Sequence, residues 1–199
     1  MMNYFLSFII GYLVGSFPTA YLVLKKSHGL DITMNGSGNV GAMNSFRVTK
    51  SKRIGLMVFL IDILKGFLSV FLVITFIDKG FIFTILGITA AVFAHCYSPW
   101  LKFKGGKGLA TAIGGSLLIS IPVSIIWAIF WIFHYLFGKD IDHANIFASI
   151  ITGFFSIFGY ALINKYSFIQ TTNNFEFGFF VSLIMLIIIS KHLKIDYKK

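Results

Sequence analysis

Long apolar runs, separated by short polar segments, most constrain what this chain can fold into. Residues 108–137 contain no Lys, Arg, Asp or Glu, and residues 54–77 contain only Asp62 and Lys65. Runs of this length cross a hydrocarbon core of about 30 Å as helices. Because 57% of the 199 residues are hydrophobic and only 12% are charged, the composition excludes a soluble domain. The sequence predicts an all-α polytopic membrane protein, organised as a single domain over residues 1–199.

The number of membrane crossings follows from the lengths of these runs. Residues 108–137, as one straight helix, would rise about 45 Å, which exceeds the hydrocarbon core. The alternative is two short helices hinged near residues 120–122, and only this choice leaves the basic C-terminal tail beside the other basic segments. We therefore expect seven transmembrane helices, at about residues 3–24, 54–77, 81–97, 145–163 and 177–190, with two more inside 108–137.

Lysine and arginine cluster in the segments that would share one face of the membrane. These segments are 25–53, 98–107 and the tail from Lys191, and the positive-inside rule makes them cytoplasmic. The N-terminus is then outside and the C-terminus inside, in the inner (cytoplasmic) membrane of the cell. The net charge of +10 is attributed to orientation and to anionic lipid heads. We expect the bilayer as a partner, and no nucleic acid.

The polar segment 35–47 is rich in glycine and in hydrogen-bonding side chains. Its Gly36 and Gly38 allow positive φ, and successive backbone N–H groups on such a backbone form a concave site for an anion. The side chains that add donors are Ser37, Asn39, Asn44 and Arg47, of which the guanidinium suits phosphate or carboxylate. The competing interpretation is an ordinary loop between membrane helices, since Gly, Ser and Asn are common turn residues.

A second candidate anion site is the run Lys104-Gly105-Gly106-Lys107-Gly108, which precedes a predicted helix. Helix N-termini bind anions through free N–H groups and the helix dipole, and the lysines add positive charge. The competing interpretation is a basic loop that only fixes topology. The glycines weigh against it, because topology requires charge but not bare backbone.

Ionisable residues also occur inside or at the edge of the predicted helices. Asp62 and Lys65 are three residues apart, so they meet on one helix face; a structural pair that borders the polar site and direct catalysis both remain open. His95 and His192 lie near the basic face, either as interfacial residues or as ligand contacts. Cys96 is the one cysteine, and metal-binding spacings such as CxxC and HExxH do not occur. We expect no metal and no cofactor.

Three stretches resemble one known family. The segments Gly36–Arg47, Asp62–Gly66 and Phe103–Gly108 are similar to those of the bacterial acyl-phosphate:glycerol-3-phosphate acyltransferases, the PlsY family. The resemblance implies seven spans and an acyl transfer from acyl phosphate to the 1-hydroxyl of glycerol 3-phosphate, without metal or acyl-CoA. Its products are lysophosphatidic acid and phosphate, at the first acylation of phospholipid synthesis. The sequence departs from the family at Val40, usually Pro, and at Ile195, usually Asn.

The same resemblance implies roles for individual residues. Ser37 and Arg47 belong to the substrate site, and His192 matches a C-terminal motif histidine. The lysine loop, residues 104–108, holds the acyl phosphate and the substrate's phosphate. The predicted catalytic residues are Ser37, Arg47, Lys107 and His192. The predicted substrate-binding residues are Gly36, Gly38, Asn39, Asn44, Lys104, Gly105, Gly106 and Gly108. The rival functions are an anion or phosphate-ester transporter, with its site near mid-membrane, and a non-catalytic relative, suggested by Ile195.

Overall fold

The computed structural model describes residues 1–193, which fold into α-helices and two short 3-10 turns, without a strand in that range. The helices are α1 Met2–Ser16, α2 Thr19–His28, α3 Ala42–Thr49, α4 Lys52–Phe76, α5 Phe81–Cys96, α6 Leu109–Ile119, α7 Ile121–Gly138, α8 Ile141–Phe158, α9 Tyr160–Lys165 and α10 Asn174–Ser190. The all-α prediction is confirmed for this part of the chain. Ile195, the predicted family departure, lies outside the described residues.

Five helical segments are long and apolar enough to cross a membrane. Within the described residues they are Met2–His28, Lys52–Phe76, Phe81–Leu101, Ile121–Gly138 and Ile141–Phe158, and two shorter apolar helices are Leu109–Ile119 and Asn174–Ser190. The elements therefore coincide with all seven predicted spans, but two of them are shorter than a typical membrane crossing. The count of seven stays a prediction.

Helix breaks occur where the sequence removes or redirects backbone hydrogen bonds. The predicted first span is interrupted between α1 and α2 at Phe17 and Pro18, because proline has no N–H to continue the ladder. The Lys65 ammonium donates to the Phe17 carbonyl over 3.1 Å. The predicted hinge near 120–122 is confirmed, since extended Ser120 (φ −156°, ψ 93°) separates α6 from α7.

Two predicted spans have different bounds in the structure. The span expected at 145–163 begins at Ile141, because Asp140 accepts a hydrogen bond from the His143 N–H and caps the helix. It is interrupted at Gly159, where α9 follows. The last span begins at Asn174, three residues earlier than expected, because Asn173 caps the N–H groups of the first turn. Polar caps lengthen both helices beyond their apolar runs.

Helix backbones pack closely at two places in the bundle, where α1 meets α5 and where α4 meets α6. A Cβ atom added at Gly11 of α1 would lie 1.9 Å from the carbonyl oxygen of Gly87 on α5. Similarly, a Cβ at Gly66 of α4 would lie 1.9 Å from the carbonyl oxygen of Thr111 on α6. Small residues allow this approach, which replaces the hydrophobic effect as the source of helix association in lipid. These contacts fix where the helix ends lie.

The helix ends gather into two polar groups at opposite ends of the bundle. At one end, Ile119 accepts backbone hydrogen bonds from Phe168 and Ile169, and Ser167 donates to Ser120 over 2.7 Å. At the other end, the polar segments after α2 and α5 meet the start of α8 and the end of α10. The residues predicted to carry chemistry lie at this second end.

Candidate active site

The glycine-rich segment 35–41 is shaped by the side chain of Asn44. Its Oδ1 accepts the Ser37 N–H over 3.0 Å, and its Nδ2 donates to the carbonyls of Asn35 and Asn39, each over 3.0 Å. Asn44 is buried at 2% exposure, so its amide organises the loop from beneath. Its predicted contact with substrate remains a prediction.

Positive φ angles at the glycines turn this loop back over Asn44. Gly36 has φ 63° and Gly38 has φ 70°, and a Cβ at Gly36 would lie 2.2 Å from Asn44 Oδ1. The side chain of Ser37 is exposed on the outer surface of the turn. Arg47 is exposed on α3, which begins directly after the loop. Ser37 and Arg47 therefore offer donors to a ligand from solvent, while Asn39 is half-buried.

The lysine loop at residues 104–108 lies against the glycine-rich segment. The Val40 N–H donates to the Gly105 carbonyl over 3.2 Å, and the Gly106 N–H donates to the His95 carbonyl over 3.0 Å. This brings the two predicted anion sites side by side. Ser37 is three positions from Val40 and Lys107 is two positions from Gly105, so the chain holds Ser37 and Lys107 within roughly 25 Å of each other.

The glycines of the lysine loop are required by packing as well as by any ligand. A Cβ at Gly105 would lie 2.2 Å from the His95 carbonyl oxygen, and a Cβ at Gly106 would lie 2.1 Å from His95 Nε2. At Gly108, φ is +85° and a Cβ would lie 2.9 Å from the Cys96 sulfur. Lys104 is exposed and Lys107 half-buried, so the charges face outward from a loop seated tightly on the end of α5.

A buried layer of charged residues lies beneath the lysine loop. Lys65 Nζ lies 3.0 Å from Asp62 Oδ1, an ion-pair distance, although the angle is poor for a hydrogen bond. His95 Nδ1 is 3.9 Å from the same oxygen. All three side chains are buried, and the expected contact of Asp62 with Lys65 is confirmed. Because Gly106 covers the other side of the His95 ring, this layer supports the loop and does not face solvent.

Two residues that the sequence reasoning missed hold predicted catalytic side chains. Asp142, at the start of α8, forms an ion pair with Lys107, and Asn145 Nδ2 lies 2.8 Å from His192 Nε2. Asp142 and Asn145 are three residues apart, so they share one helix face. The available signal was a polar first turn on an otherwise apolar helix.

His192 is buried at 2% exposure, with both ring nitrogens engaged. Nδ1 lies 2.8 Å from the Ile188 carbonyl oxygen, which only accepts, so Nδ1 carries the proton. Nε2 then accepts from the Asn145 amide. Burial lowers the pKa of His192 from its ordinary value, because charging the ring would cost solvation. In this arrangement His192 is a neutral ring behind Lys107, and its predicted catalytic role remains a prediction.

An apolar groove runs from the lysine loop into the bundle between α5, α6, α7 and α10. It encloses a cavity of about 60 Å³. Leu109 and Ile188 line the end next to Gly108, and the stacked rings of Phe81 and Phe177, 5.5 Å apart, line the far end. An exposed cationic surface therefore lies beside an apolar channel, as a substrate with an anionic head and a hydrocarbon chain requires.

These features define a helical membrane protein with a cationic, glycine-lined surface at one end of its bundle. A family described as Glycerol-3-phosphate acyltransferase matches residues 5–196, and the chain belongs to this family. Glycerol-3-phosphate acyltransferase 2 of Thermotoga maritima is 35% identical over 161 residues, which are 81% of this chain and 80% of that protein. Glycerol-3-phosphate acyltransferase of Bartonella henselae is 40% identical over 158 residues, 78% of this chain and 74% of that protein.

Two solved structures share the fold. Both are crystal structures of PlsY (YgiH), an integral membrane glycerol 3-phosphate acyltransferase, one in a glycerol 3-phosphate form and one in a lysophosphatidic acid form. The first superposes with a TM-score of 0.76 at 28% identity, covering 95% of this chain and 88% of that one. The second gives 0.74 at 29% identity, covering 96% and 88%. The predicted membership in the PlsY family is confirmed, and the protein is an integral membrane acyltransferase.

Proposed function

We propose that this protein transfers an acyl group from acyl phosphate to the 1-hydroxyl of glycerol 3-phosphate. The products are lysophosphatidic acid and inorganic phosphate, at the first acylation of phospholipid synthesis. The observation that carries the proposal is the hydrogen bond from Val40 to Gly105, because it joins two cationic, glycine-lined segments into one surface. Two adjacent anion sites suit a reaction between two phosphorylated substrates.

The transfer is direct, without an acylated enzyme. The Ser27 hydroxyl contacts His28 Nδ1 over 2.8 Å, but this pair lies on α2 and in neither of the two glycine-rich segments. Neither segment, both of them within the described residues, shows a nucleophile hydrogen-bonded to a base in the way covalent catalysis requires. The 1-hydroxyl oxygen attacks the acyl carbonyl carbon. The bond between this carbon and the phosphate oxygen breaks, and inorganic phosphate leaves with the electron pair of that bond. A phosphate oxygen of the substrate accepts the hydroxyl proton. The protein supplies positioning and charge stabilisation.

The substrate-facing side chains have distinct roles in this scheme. Arg47, Lys104 and Lys107 neutralise the phosphate groups, and the Ser37 hydroxyl donates a hydrogen bond to the acyl phosphate. Gly36, Gly38 and Asn39 form the backbone and amide surface next to it, while Gly105, Gly106 and Gly108 give the lysine loop its close fit. Asn44 and His192 complete the site. Exposure of Ser37, Arg47 and Lys104 supports the first group of assignments.

The apolar groove receives the acyl chain. Its mouth at Leu109 and Ile188 adjoins Gly108, so a chain entering there keeps its phosphate beside the lysine loop. Burying hydrocarbon in such a groove contributes about 0.8 kcal/mol per CH₂. This gives the enzyme a way to bind a donor that arrives through the bilayer.

The proposal includes a single domain over residues 1–199 with seven spans and its active site on the cytoplasmic side of the inner membrane. The N-terminus is outside and the C-terminus inside. Support comes from the alternation of helix ends: α5 and α10 finish, and α6 and α8 begin, near the lysine loop. The basic segments then face the cytoplasm, where glycerol 3-phosphate is available, and the bilayer itself is the protein's main partner.

The test is an assay of purified protein with palmitoyl phosphate and glycerol 3-phosphate, in the absence of magnesium. We expect release of phosphate and formation of the lysolipid, and no product when palmitoyl-CoA replaces palmitoyl phosphate. Ser37→Ala and Arg47→Ala should each lower turnover at least about 100-fold. Arg53→Ala, which removes an exposed charge at the start of α4, is the matched control and should retain activity.

The rival functions give different results in the same preparation. A transporter would move glycerol 3-phosphate into proteoliposomes without forming a lysolipid. A non-catalytic relative would bind acyl phosphate and release no product. Either result would reject the proposed reaction, and full activity in both Ser37→Ala and Arg47→Ala would remove these residues from it.

A further inference from the structure

The first turn of α8 contacts two predicted catalytic residues that come from separate parts of the chain. Asp142 pairs with Lys107 of the lysine loop, and Asn145 pairs with His192 beyond the end of α10. Since α8 is a regular helix, the distance between Asp142 and Asn145 is fixed at about one turn. The helix therefore sets the position of Lys107 relative to His192.

The Asn145 contact determines which nitrogen of His192 carries the proton. Nδ1 must donate to the Ile188 carbonyl, and Asn145 Nδ2 donates to Nε2. Both side chains are buried, at 4% and 2% exposure, so water does not replace either bond. A charged ring would direct an Nε2 proton at the amide donor of Asn145. The contact thus favours a neutral His192 with its proton on Nδ1.

The Asp142 contact orients Lys107. An ammonium group has three donors, and this pair uses one, leaving two for an anion. The two side chains are 29% and 22% exposed, so the pair adds little to folding stability. Its consequence is geometric: the Nζ of a long, flexible side chain is held at one place above the loop.

We propose that Asp142 and Asn145 are positioning residues that fix Lys107 and the tautomer of His192 for acyl transfer. This inference deepens the proposed function and rests on it. The charged side chains that act on His192 within the described chain are Lys107 and Asp142. The neighbouring Lys191 ammonium instead lies 4.6 Å from the centroid of the Tyr97 ring.

Replacing Asn145 by Asp separates this role from a purely structural one. The introduced carboxylate has nearly the same size as the amide, but it accepts a hydrogen bond from a protonated Nε2. It therefore stabilises the charged ring and raises the pKa of His192. As the pH falls, His192 then becomes protonated at a higher pH than in the wild type. The acid limb of the turnover profile moves upward in pH with it.

The readout is nitrogen-15 NMR of histidine-labelled protein in nanodiscs, titrated from about pH 5 to 8, with the His192 signals identified from their absence in His192→Gln. We expect an Nδ1–H tautomer in the wild type, and a midpoint at least about one pH unit higher in Asn145→Asp. An unchanged midpoint, or an Nε2–H tautomer in the wild type, would overturn the role of Asn145. This measurement does not depend on catalysis.

The Asp142 arm uses kinetics. Asp142→Asn should lower kcat about 10- to 100-fold with a smaller change in KM for glycerol 3-phosphate, because Lys107 keeps its charge but loses its orientation. Asp142→Glu should restore part of kcat. The control is Thr152→Val, which removes a buried hydroxyl further along α8, away from the lysine loop, and should retain activity. An equal loss in Asp142→Asn and Thr152→Val would overturn the proposal, whereas an inactive wild type would reject the proposed function instead.

Discussion

The backbone N–H of Val40 lies 3.2 Å from the carbonyl oxygen of Gly105, and this bond joins two segments that are far apart in sequence. The next residue, Gly106, donates to the His95 carbonyl, and the His95 ring approaches Asp62. The surface proposed to bind substrate is therefore continuous with a buried layer of charge. Because Gly106 and His95 are in direct contact, we expect a shift in the buried layer to move the lysine loop, and a shift in the loop to move His95.

The first prediction concerns Gly106→Ala. Its Cβ would lie 2.1 Å from His95 Nε2 and 3.0 Å from the Val40 carbonyl oxygen, so either the ring or the loop must move. Overpacking of this kind costs about 1–3 kcal/mol, and here it also displaces Lys107. We expect a lower melting temperature and at least about a 10-fold loss of turnover, measured by thermal unfolding and phosphate release.

The control for this substitution is Gly153→Ala on α8. There the nearest atom to the new Cβ is Ser182 Oγ at 3.5 Å, an ordinary contact. A glycine-to-alanine change inside a helix contributes up to about 1 kcal/mol, so stability should stay equal or rise. If Gly106→Ala behaves like Gly153→Ala, the close fit of the lysine loop is not required.

The sequence singled out both glycine-rich, cationic segments but not the reason for several of their residues. Glycine at 105 and 106 was attributed to ligand access, whereas the structure also shows these residues packed against α5. That contact depends on how α5 ends, which no local pattern encodes. The partners Asp142 and Asn145 were missed for the same reason: their role depends on where α8 starts relative to residues from two other segments.

A second prediction follows from the three hydrogen bonds of Asn44. Asn44→Asp keeps an acceptor for the Ser37 N–H but faces the Asn35 and Asn39 carbonyls with negative charge. Each buried group left unpaired costs about 1–3 kcal/mol. We expect a rise in KM for glycerol 3-phosphate of about 10-fold or more, since the loop loses its shape. Met43→Ala, at an exposed neighbour, should leave KM unchanged, and a normal KM in Asn44→Asp would contradict the loop-organising role.

A third prediction concerns the buried pair of Asp62 and Lys65. Lys65→Met leaves the Asp62 carboxylate and the Phe17 carbonyl without their shared partner. Breaking a buried pair from one side costs about 3–5 kcal/mol, while replacing both partners by apolar residues costs less. The double variant Asp62→Leu with Lys65→Met should therefore be more stable than Lys65→Met alone in thermal unfolding. Equal melting temperatures for the two variants would show that the carboxylate carries no such penalty.

The fold was predictable where composition decides it and less so where single side chains do. Apolar length gave the positions of the helices, and Pro122 together with the length of residues 108–137 gave the hinge at Ser120. The first run carries glycines, Ser16 and Pro18, which we interpret from the sequence as interruptions tolerated within one membrane helix, whereas the structure ends α1 at Ser16 and starts α2 at Thr19. The stabilisation of this break comes from Lys65, a residue of a different helix, and such long-range partners are set by packing rather than by local sequence.

The last prediction tests the groove proposed for the acyl chain. Ser116 lines it seven residues after Leu109, about 10 Å along α6, so Ser116→Phe should block the groove part-way. Long chains then lose contacts worth about 0.8 kcal/mol per CH₂, while short chains still fit. We expect the ratio of kcat/KM for palmitoyl phosphate to that for octanoyl phosphate to fall at least about 10-fold. Leu117→Phe, at a neighbouring side chain that is 41% exposed, adds the same ring away from the groove and should leave that ratio unchanged; an equal change in both variants would exclude this groove as the acyl site.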